Sequence, residues 1–317
     1  MFHEYRSVVG DGDQAVLYCT PESMYPITVA AGKVFNNKYG SFHHDDMIGV
    51  RYGSKVVSHD GRGFVYVLHP TPALWTQIVP HRTQILYLPD ISFISLYLDL
   101  RPGKVVIESG TGSGSFSHSI ARTVAPNGHL YTFEYHEQRA ATAQREFVEH
   151  KLTDVVTIEH RDVLANGFGK SGIADAVFLD LPAPWDAVAA AKEALRSTTI
   201  GRICSFSPCI EQVQRTVLAL DEHGFSEIRM FECLAKDHEV RTVPLPDIAE
   251  AIGGNKVSFR PAKGDRRKRR RDEEPAAPGA SDDPGEGGVL VSKPVNAARG
   301  HTSYLTFAIL APGPRSP

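Results

Sequence analysis

The chain has 317 residues, 42% hydrophobic and 22% charged, an average globular composition with material for a catalytic domain and a smaller second one. No run approaches the roughly 18 apolar residues that span a bilayer, and the N-terminal MFHEYRSVVGDGD is too polar for a secretory signal, so an intracellular protein without membrane attachment is expected. Residues 249–299 hold 11 Lys and Arg against 8 Asp and Glu, leaving 23 against 29 elsewhere. The rest of the chain is therefore acidic and lacks the basic balance of a protein that grips nucleic acid alone.

Residues 1–75 contain short β-rich runs (AVLYC, ITVA, KVVS, GFVYVLH) separated by glycine turns, which predicts a small N-terminal β-barrel or sandwich. A proline-punctuated link, HPTPALWTQIVPHRTQ, leads into a second domain, 76–317. DISFISLYLDL predicts a helix with Ile91, Ile94, Leu96 and Leu98 on its apolar side, ended by Arg101-Pro-Gly103. Strands then alternate with helices. The strands are KVVIE (104–108), HLYTFEY (129–135), VVTIEH (155–160), ADAVFLD (174–180) and RICSFS (202–207), apolar enough for burial on both faces. The helical stripes are Phe116, Ile120 and Val124, then Ala140, Ala143 and Phe147, then Val188, Ala191 and Leu195. The fourth is Ile210, Val213, Val217 and Leu220, closed by Gly224. This is an α/β pattern of right-handed βαβ units around a parallel sheet. FSEIRMFECL reads as a sixth strand extended by HEVRTVPL. Residues 249–299 read as a disordered charged insert, and HTSYLTFAIL supplies a seventh strand, antiparallel beside the sixth. That order is typical of class I (Rossmann-like) methyltransferases rather than dinucleotide dehydrogenases.

The loop ESGTGSGSF follows the first strand of the sheet and opens a helix, where an open α/β sheet places its ligand. Gly110, Gly112 and Gly114 are spaced G-x-G-x-G, and position 115 is serine, so the dinucleotide fingerprint is absent. Glu108, just before the loop, suits the cationic amino group of a methionyl moiety better than a pyrophosphate. Glu134 stands at the end of the second strand, where an acid takes both ribose hydroxyls of an adenosine. Asp162 follows the third strand and suits the adenine amino group, or simply a turn. Together they predict S-adenosylmethionine as cofactor. Asp180-Leu-Pro-Ala-Pro-Trp185 ends the fourth strand in a proline-stiffened segment, a pattern for reading a base edge and stacking on a ring, although Trp185 equally suits a cap on the core.

The runs LHPTP (68–72), PHRTQILY (80–87), ESGTGSGS (108–115), DAVFLDLPAPW (175–185), FSPCIEQVQRT (206–216) and GHTSYLTFA (300–308) resemble the catalytic subunit of the eukaryotic tRNA N1-adenosine methyltransferase, which modifies adenosine 58 of the T loop. The resemblance covers nearly the whole chain apart from the insert. It implies cofactor contacts from Leu86 and from Ser109, Gly110, Thr111, Gly112, Ser113, Gly114, Ser115 and Phe116. It further implies Glu134 and Arg139 near the ribose, Asp162 and Val163 near adenine, and Asp180 as the catalytic residue at the reacting base. Gln84, Ile85, Tyr87 and Leu88 would line the entrance for RNA, and Val34, Lys38, Tyr39, Gly63 and Phe64 would meet RNA from the N-terminal domain. The family also implies a noncatalytic paralogous partner, two chains of each kind in a heterotetramer, which would explain an acidic body on an RNA enzyme.

KGDRRKRRR (263–271) reads as a nuclear import signal, with an RNA-binding tail or a solvated run as alternatives. The cysteines Cys19, Cys204, Cys209 and Cys233 show no CxxC pair. His43, His44, His69 and His81 show no metal spacing and read as turn or core residues, so neither disulfide nor metal is expected. Two other readings stay open. One is a noncatalytic RNA-binding subunit, against which the retained glycines and Asp180 count. The other is a class I methyltransferase acting on protein isoaspartate, a small molecule or another RNA, which leaves the N-terminal domain without a role.

Overall fold

The computed structural model describes residues 5–80, 82–234, 238–244, 288–294 and 303–313. His81 and the basic run 263–271 lie outside the described residues.

The N-terminal part forms β1 (Gln14–Thr20), β2 (Ser23–Thr28), β3 (Val34–Asn37), β4 (Gly40–His43), β5 (Lys55–Val57) and β6 (Phe64–Leu68). Four of them make an antiparallel sheet in the order β2-β1-β6-β5, and β3 and β4 pair as a separate hairpin. The expected barrel thus takes the form of two small sheets sharing one core. FVYVL shows the alternation that fixes its face: Val65 and Val67 are buried while Phe64 and Tyr66 are exposed. Leu17, Phe42 and Met47 complete this core. The chain leaves it through helix α1 (Pro72–Ile78), whose start is set by Pro72 in the first turn and by Thr71 Oγ1 accepting the Leu74 N–H at 3.2 Å. Trp75 belongs to the core of the next sheet.

The next elements are α2 (Leu88–Tyr97), β7 (Val105–Ser109), α3 (Ser115–Val124), β8 (His129–Glu134), α4 (Glu137–Glu149), β9 (Val156–His160), α5 (Val163–Asn166) and β10 (Ala176–Leu179). They are followed by α6 (Val188–Ala194), β11 (Gly201–Ser207), α7 (Ile210–Glu222), β12 (Ser226–Glu232), β13 (His238–Pro244), β14 (Gly288–Pro294) and β15 (Tyr304–Leu310). The large sheet runs β12-β15-β11-β10-β7-β8-β9, with β15 antiparallel between β11 and β12 and the five strands from β11 to β9 parallel. Strand order reverses between β7 and β10, which opens a crevice at their carboxyl ends. One face packs on α1 to α4 through Ile94, Ile120 and Phe147, and the other on α6 and α7 through Val177, Val188 and Leu220.

Three sequence expectations change. Helix α2 ends at Tyr97, with Leu98 as its C-cap and Asp99 turning the chain at φ of 54°, before Arg101-Pro-Gly103 is reached. On α7 the buried face is Val213, Thr216 and Leu220, and Ile210 in the first turn is 49% exposed. Residues 288–294, expected to be disordered, form β14, paired antiparallel over seven residues with β13 as a compact unit of its own within Ala235–Ala298. The apolar and β-branched content of GVLVSKP and HEVRTVP, with Val289 opposite Val243, suits such a ladder. Among the described residues, no helix is long and apolar enough to cross a membrane.

Strand β15 points Leu305 and Phe307 into one core and Thr306 and Ala308 toward the other. Thr306 is fully buried and its hydroxyl has no hydrogen-bond partner among the described residues. A buried unpaired hydroxyl costs on the order of 1–3 kcal/mol. Thr306→Val is therefore expected to stabilise the fold by about 1 kcal/mol, read as a higher midpoint in urea denaturation; a lower midpoint would show that the hydroxyl is bonded.

Candidate functional site

The carboxyl ends of β7, β8 and β10 sit level because their registers align Ser109 with Phe133 on one side and with Leu179 on the other. Backbone bonds lock these ends together: Gly110 N–H donates to Phe133 O at 2.9 Å and Asp180 N–H to Ser109 O at 2.9 Å. The close approach explains the first glycine. Gly110 has φ of +95°, and a Cβ there would stand 2.2 Å from the Asp180 carbonyl oxygen. Gly112 has φ of +53°, and a Cβ there would stand 2.6 Å from Thr83 Oγ1. These glycines are thus required by backbone conformation and by protein packing, beyond any room they leave for a ligand.

Around this seam lies a cleft of about 590 Å³. Of the expected residues, it is lined by Gln84, Ser109, Gly110, Gly112, Glu134, Arg139, Asp162, Val163 and Asp180. A small adjoining cavity is lined by Ile85, Leu86, Glu108, Thr111, Ser113, Ser115 and Phe116. Gly114 lines neither and instead caps α3 in a left-handed conformation, φ 74°. The loop's hydroxyls are structural. Thr111 Oγ1 bonds Thr132 Oγ1 at 2.7 Å, Ser115 Oγ donates to Leu86 O at 3.2 Å, and Ser113 Oγ accepts the N–H groups of Arg82 and Thr83 at 3.0 and 3.2 Å.

Three acids dominate the electrostatics. Glu108 is 1% exposed, and burial pushes its pKa up to about 7. Bonds from Ser117 Oγ (2.5 Å) and Thr132 Oγ1 (2.7 Å), both to Oε2, only partly offset that, and Asp180 and Glu134 add repulsion. Burial, reinforced by the Glu134 charge, likewise raises Asp180 to about 7. Glu134 goes the other way. Burial opposes its ionisation, but the His136 N–H (3.0 Å), Arg139 Nε and Nη2 (3.0 and 2.7 Å) and the Gly112 N–H (3.0 Å) together hold it below the usual carboxylate range. The result is one fixed anion beside two carboxyls poised to ionise when a cation arrives.

Asp162 Oδ1 accepts from the N–H groups of Leu164 and Ala165, so this residue caps α5 while lining the cleft, and the turn reading and the site reading both hold geometrically. Among the described residues, no group of three or more His, Cys, Asp or Glu could hold a metal ion.

A family model described as "tRNA methyltransferase complex GCD14 subunit" matches residues 63–310. The chain belongs to this family. It is 42% identical over 337 residues to the tRNA (adenine(58)-N(1))-methyltransferase catalytic subunit TRM61 of Candida albicans, covering 98% of this chain and 99% of the relative. Its fold matches an S-adenosylmethionine-dependent O-methyltransferase of Thermotoga maritima at a TM-score of 0.71, with 25% identity, 98% of this chain and 97% of that one covered. It also matches the tRNA (m1A58) methyltransferase TrmI of Aquifex aeolicus at 0.64, with 21% identity and coverage of 95% and 98%.

The family's fold brings in residues that sequence reasoning left out. Thr83 lines the cleft and the small cavity, and Leu181, Pro182, Phe206, Pro208 and Gln212 build the wall beside Asp180. Gln212 Nε2 donates to Pro182 O at 3.0 Å and its Oε1 accepts the Cys209 N–H at 3.2 Å, tying the segment after β10 to the start of α7. The signal for Phe206, Pro208 and Gln212 was the FSPCIEQ run, used for the family resemblance and not for the site. His118 Nδ1 bonds the Gly114 carbonyl at 2.6 Å and must be the donor, so its Nε2 accepts from His150 Nδ1 at 2.7 Å. Burial holds both rings neutral, at about 3 and about 4, and the pair ties the glycine loop to the end of α4.

Trp185 is the main departure. Pro184–Ala187 forms a 3-10 turn that carries the indole under the Arg215 guanidinium, 5.0 Å from the ring centre, and it is not among the cleft residues, whose aromatic rings are those of Phe133, Tyr135 and Phe206. Tyr87 packs against the core and Leu88 opens α2 with 47% exposure, and neither lines the cleft. On the N-terminal sheet, Lys38, Tyr39, Gly63 and Phe64 are brought together: a Cβ on Gly63 would stand 2.1 Å from Tyr39 O. Lys38 lies over the Tyr39 ring and Lys55 over the Phe64 ring, at 5.1 and 4.1 Å. Val34 stands at the far end of the same hairpin.

Two outcomes are expected. Gly110→Ala forces strain and a backbone clash at the seam, so it should remove cofactor uptake measured by calorimetry even where the chain stays folded by circular dichroism. Because the folded chain holds Glu108 protonated to higher pH than the unfolded chain, its burial opposes folding increasingly from about 4.5 up to about 7. Glu108→Gln should therefore gain stability relative to the native chain across that interval and show no further gain above it, as read from urea midpoints at several pH values.

Proposed function

We propose that this chain transfers the methyl group of S-adenosylmethionine to N1 of adenosine 58 in the T loop of tRNA. In this reading it is the catalytic subunit of an assembly with a noncatalytic paralogous chain, two copies of each. The observation that carries the chemistry is Asp180, half-buried at the switch point between β7 and β10, joined through its backbone to the glycine loop and flanked by Pro182 and Phe206. The tRNA substrate rests on the family and on the relative from Candida albicans.

The donor set fits the cofactor. S-adenosylmethionine supplies an electrophilic methyl group on a sulfonium centre, and two buried carboxyls raised to about 7 are suited to a positively charged guest. Glu108 would face the methionyl ammonium, Glu134 would accept the ribose hydroxyls while Arg139 fixes its orientation, and Asp162 with Val163 would border the adenine. Thr83 and Gln84 would cover the glycine loop and exclude water.

Adenine N1 has an in-plane lone pair and becomes cationic on methylation, so no proton need leave before attack. Ionised Asp180 would accept a hydrogen bond from the exocyclic amino group, aim N1 at the methyl and stabilise the positive charge growing on the ring. N1 lies on the pairing edge, so the base must be drawn out of its T-loop pairing, at a cost of about a few kcal/mol. Phe206, Pro182 and Pro208 offer apolar surface for the extracted ring.

Lys38, Tyr39, Lys55 and Phe64 give the N-terminal sheet a basic and aromatic strip suited to a sugar-phosphate backbone and unpaired bases. The acidic balance of the rest of the chain supports a division of RNA contacts with the paralogous partner. Nuclear import through 263–271 belongs to the same proposal and is supported by composition alone.

Asp180→Ala in the assembled enzyme should still bind S-adenosylmethionine yet methylate tRNA about 10²–10³-fold more slowly, seen as loss of the primer-extension stop at adenosine 58. Undiminished turnover would remove Asp180 from the mechanism.

A further inference from the structure

Helix α4 and its C-cap residue bond the surroundings of the cleft at three points: Arg139 on Glu134 in the cleft itself, and behind it Glu146 on Arg82 and His150 on His118. The contact of Glu146 with Arg82 has no part in the function derived so far. Glu146 Oε1 and Oε2 accept from Arg82 Nη1 and Nη2 at 2.5 and 2.9 Å, a two-point bond across 64 residues of sequence. The two side chains retain only 17% and 16% exposure. A paired fork of this kind fixes the plane of the guanidinium as well as its place.

What the pair holds is the stretch between α1 and α2. Residues 82–87 lie in neither helix nor strand, so no ladder of backbone bonds sets their position. They nevertheless press on the glycine loop: the Arg82 and Thr83 N–H groups both donate to Ser113 Oγ, and Thr83 Oγ1 occupies the space beside Gly112. Thr83 and Gln84 line the cleft, whereas Arg82 and Glu146 line neither the cleft nor the small cavity.

We propose that Arg82 and Glu146 are a positioning pair that holds Thr83 to Leu88 against the glycine loop and so preforms the cofactor cleft, an inference that rests on reading that cleft as the S-adenosylmethionine site. Because neither side chain reaches the reacting atoms, the pair controls cofactor affinity and leaves the methyl-transfer step alone. An Arg-carboxylate pair at this level of burial costs more to break than a surface pair, since the surviving partner stays half-desolvated.

The test uses the full chain, with two measurements. In Glu146→Gln, amide exchange at residues 82–88 of the ligand-free chain should rise about tenfold or more while exchange in the β1–β6 sheet is unchanged. Calorimetry with S-adenosylmethionine should give a Kd weakened about tenfold, and in the assembled enzyme KM for S-adenosylmethionine should follow it with kcat held within about twofold. The reciprocal exchange Arg82→Glu with Glu146→Arg should bring exchange rates and Kd back toward native values. Unchanged exchange at 82–88 in Glu146→Gln overturns the pair. Faster exchange with an unchanged Kd overturns its control of the cofactor. Faster exchange everywhere, not recovered by the reciprocal variant, reduces the pair to a general stability contact and overturns the inference too. If the native chain takes up no S-adenosylmethionine, the reading of the cleft fails, and the exchange measurement still decides whether the pair holds the segment.

Discussion

Three carboxyl groups brought together at the ends of neighbouring strands, in a crevice that strips most water from two of them, are the constraint on which the site depends. The displacement of Glu108 to about 7 corresponds to on the order of 3 kcal/mol between its protonation states. A fold carries that kind of cost where a charged ligand can offset it. The backbone cannot relax it locally, because Gly110 and Asp180 are packed carbonyl against Cα and the strands on either side are buried on both faces. Of the three, Glu134 is the one held by a cation, Arg139, together with two backbone N–H groups, which makes it the fixed anion around which the other two titrate. The switch point of the sheet therefore positions charge as well as shape.

Much of this was legible in the sequence, for definite reasons. Strands buried on both faces read as continuous apolar runs, and the acids interrupting them at their ends, Glu108, Glu134 and Asp180, stand out against that background. The return of a strand at Tyr304–Leu310 after a long charged excursion located β15 between β11 and β12. Where the reading failed, the deciding contact was tertiary. Pro182 and Pro184 suggested a stiff extended segment, yet Pro184 starts a 3-10 turn and Trp185 finds Arg215. Val217 looked like part of the α7 stripe, but the helix faces the sheet through Thr216, whose hydroxyl bonds back to Gln212 O and so needs no partner from the core. Thr83 carries no local signal, because it acts on a segment about 30 residues distant.

The glycine loop shows how the same residues can serve the protein's own packing as well as a ligand. Its glycines were read as space for a ligand; they are also demanded by left-handed backbone angles and by Asp180 and Thr83 pressing on them. Thr111, Ser113 and Ser115, read as cofactor contacts, bond Thr132, the Arg82–Thr83 backbone and Leu86 with their hydroxyls. The loop is a knot of protein-protein bonds whose exposed backbone is left for the ligand. Helix α4 and its C-cap support that knot from outside: Arg139 bonds Glu134, Glu146 bonds Arg82 and His150 bonds His118.

The chemistry proposed for Asp180 does not by itself select adenine. A carboxylate accepting from an exocyclic amino group beside a ring nitrogen fits the pairing edge of cytosine as well as that of adenine, and the flanking Phe206, Pro182 and Pro208 offer flat apolar contact to either ring. Shape at the cleft wall can favour the larger base, but a few apolar contacts discriminate by only about 1–3 kcal/mol. Selection of one adenosine among many must then come from where the tRNA presents its extracted base. In the proposed assembly that presentation would fall to surfaces distant in sequence from Asp180: the strip of Lys38, Tyr39, Lys55 and Phe64, whose ammonium groups lie over aromatic rings, and a basic surface contributed by the proposed partner.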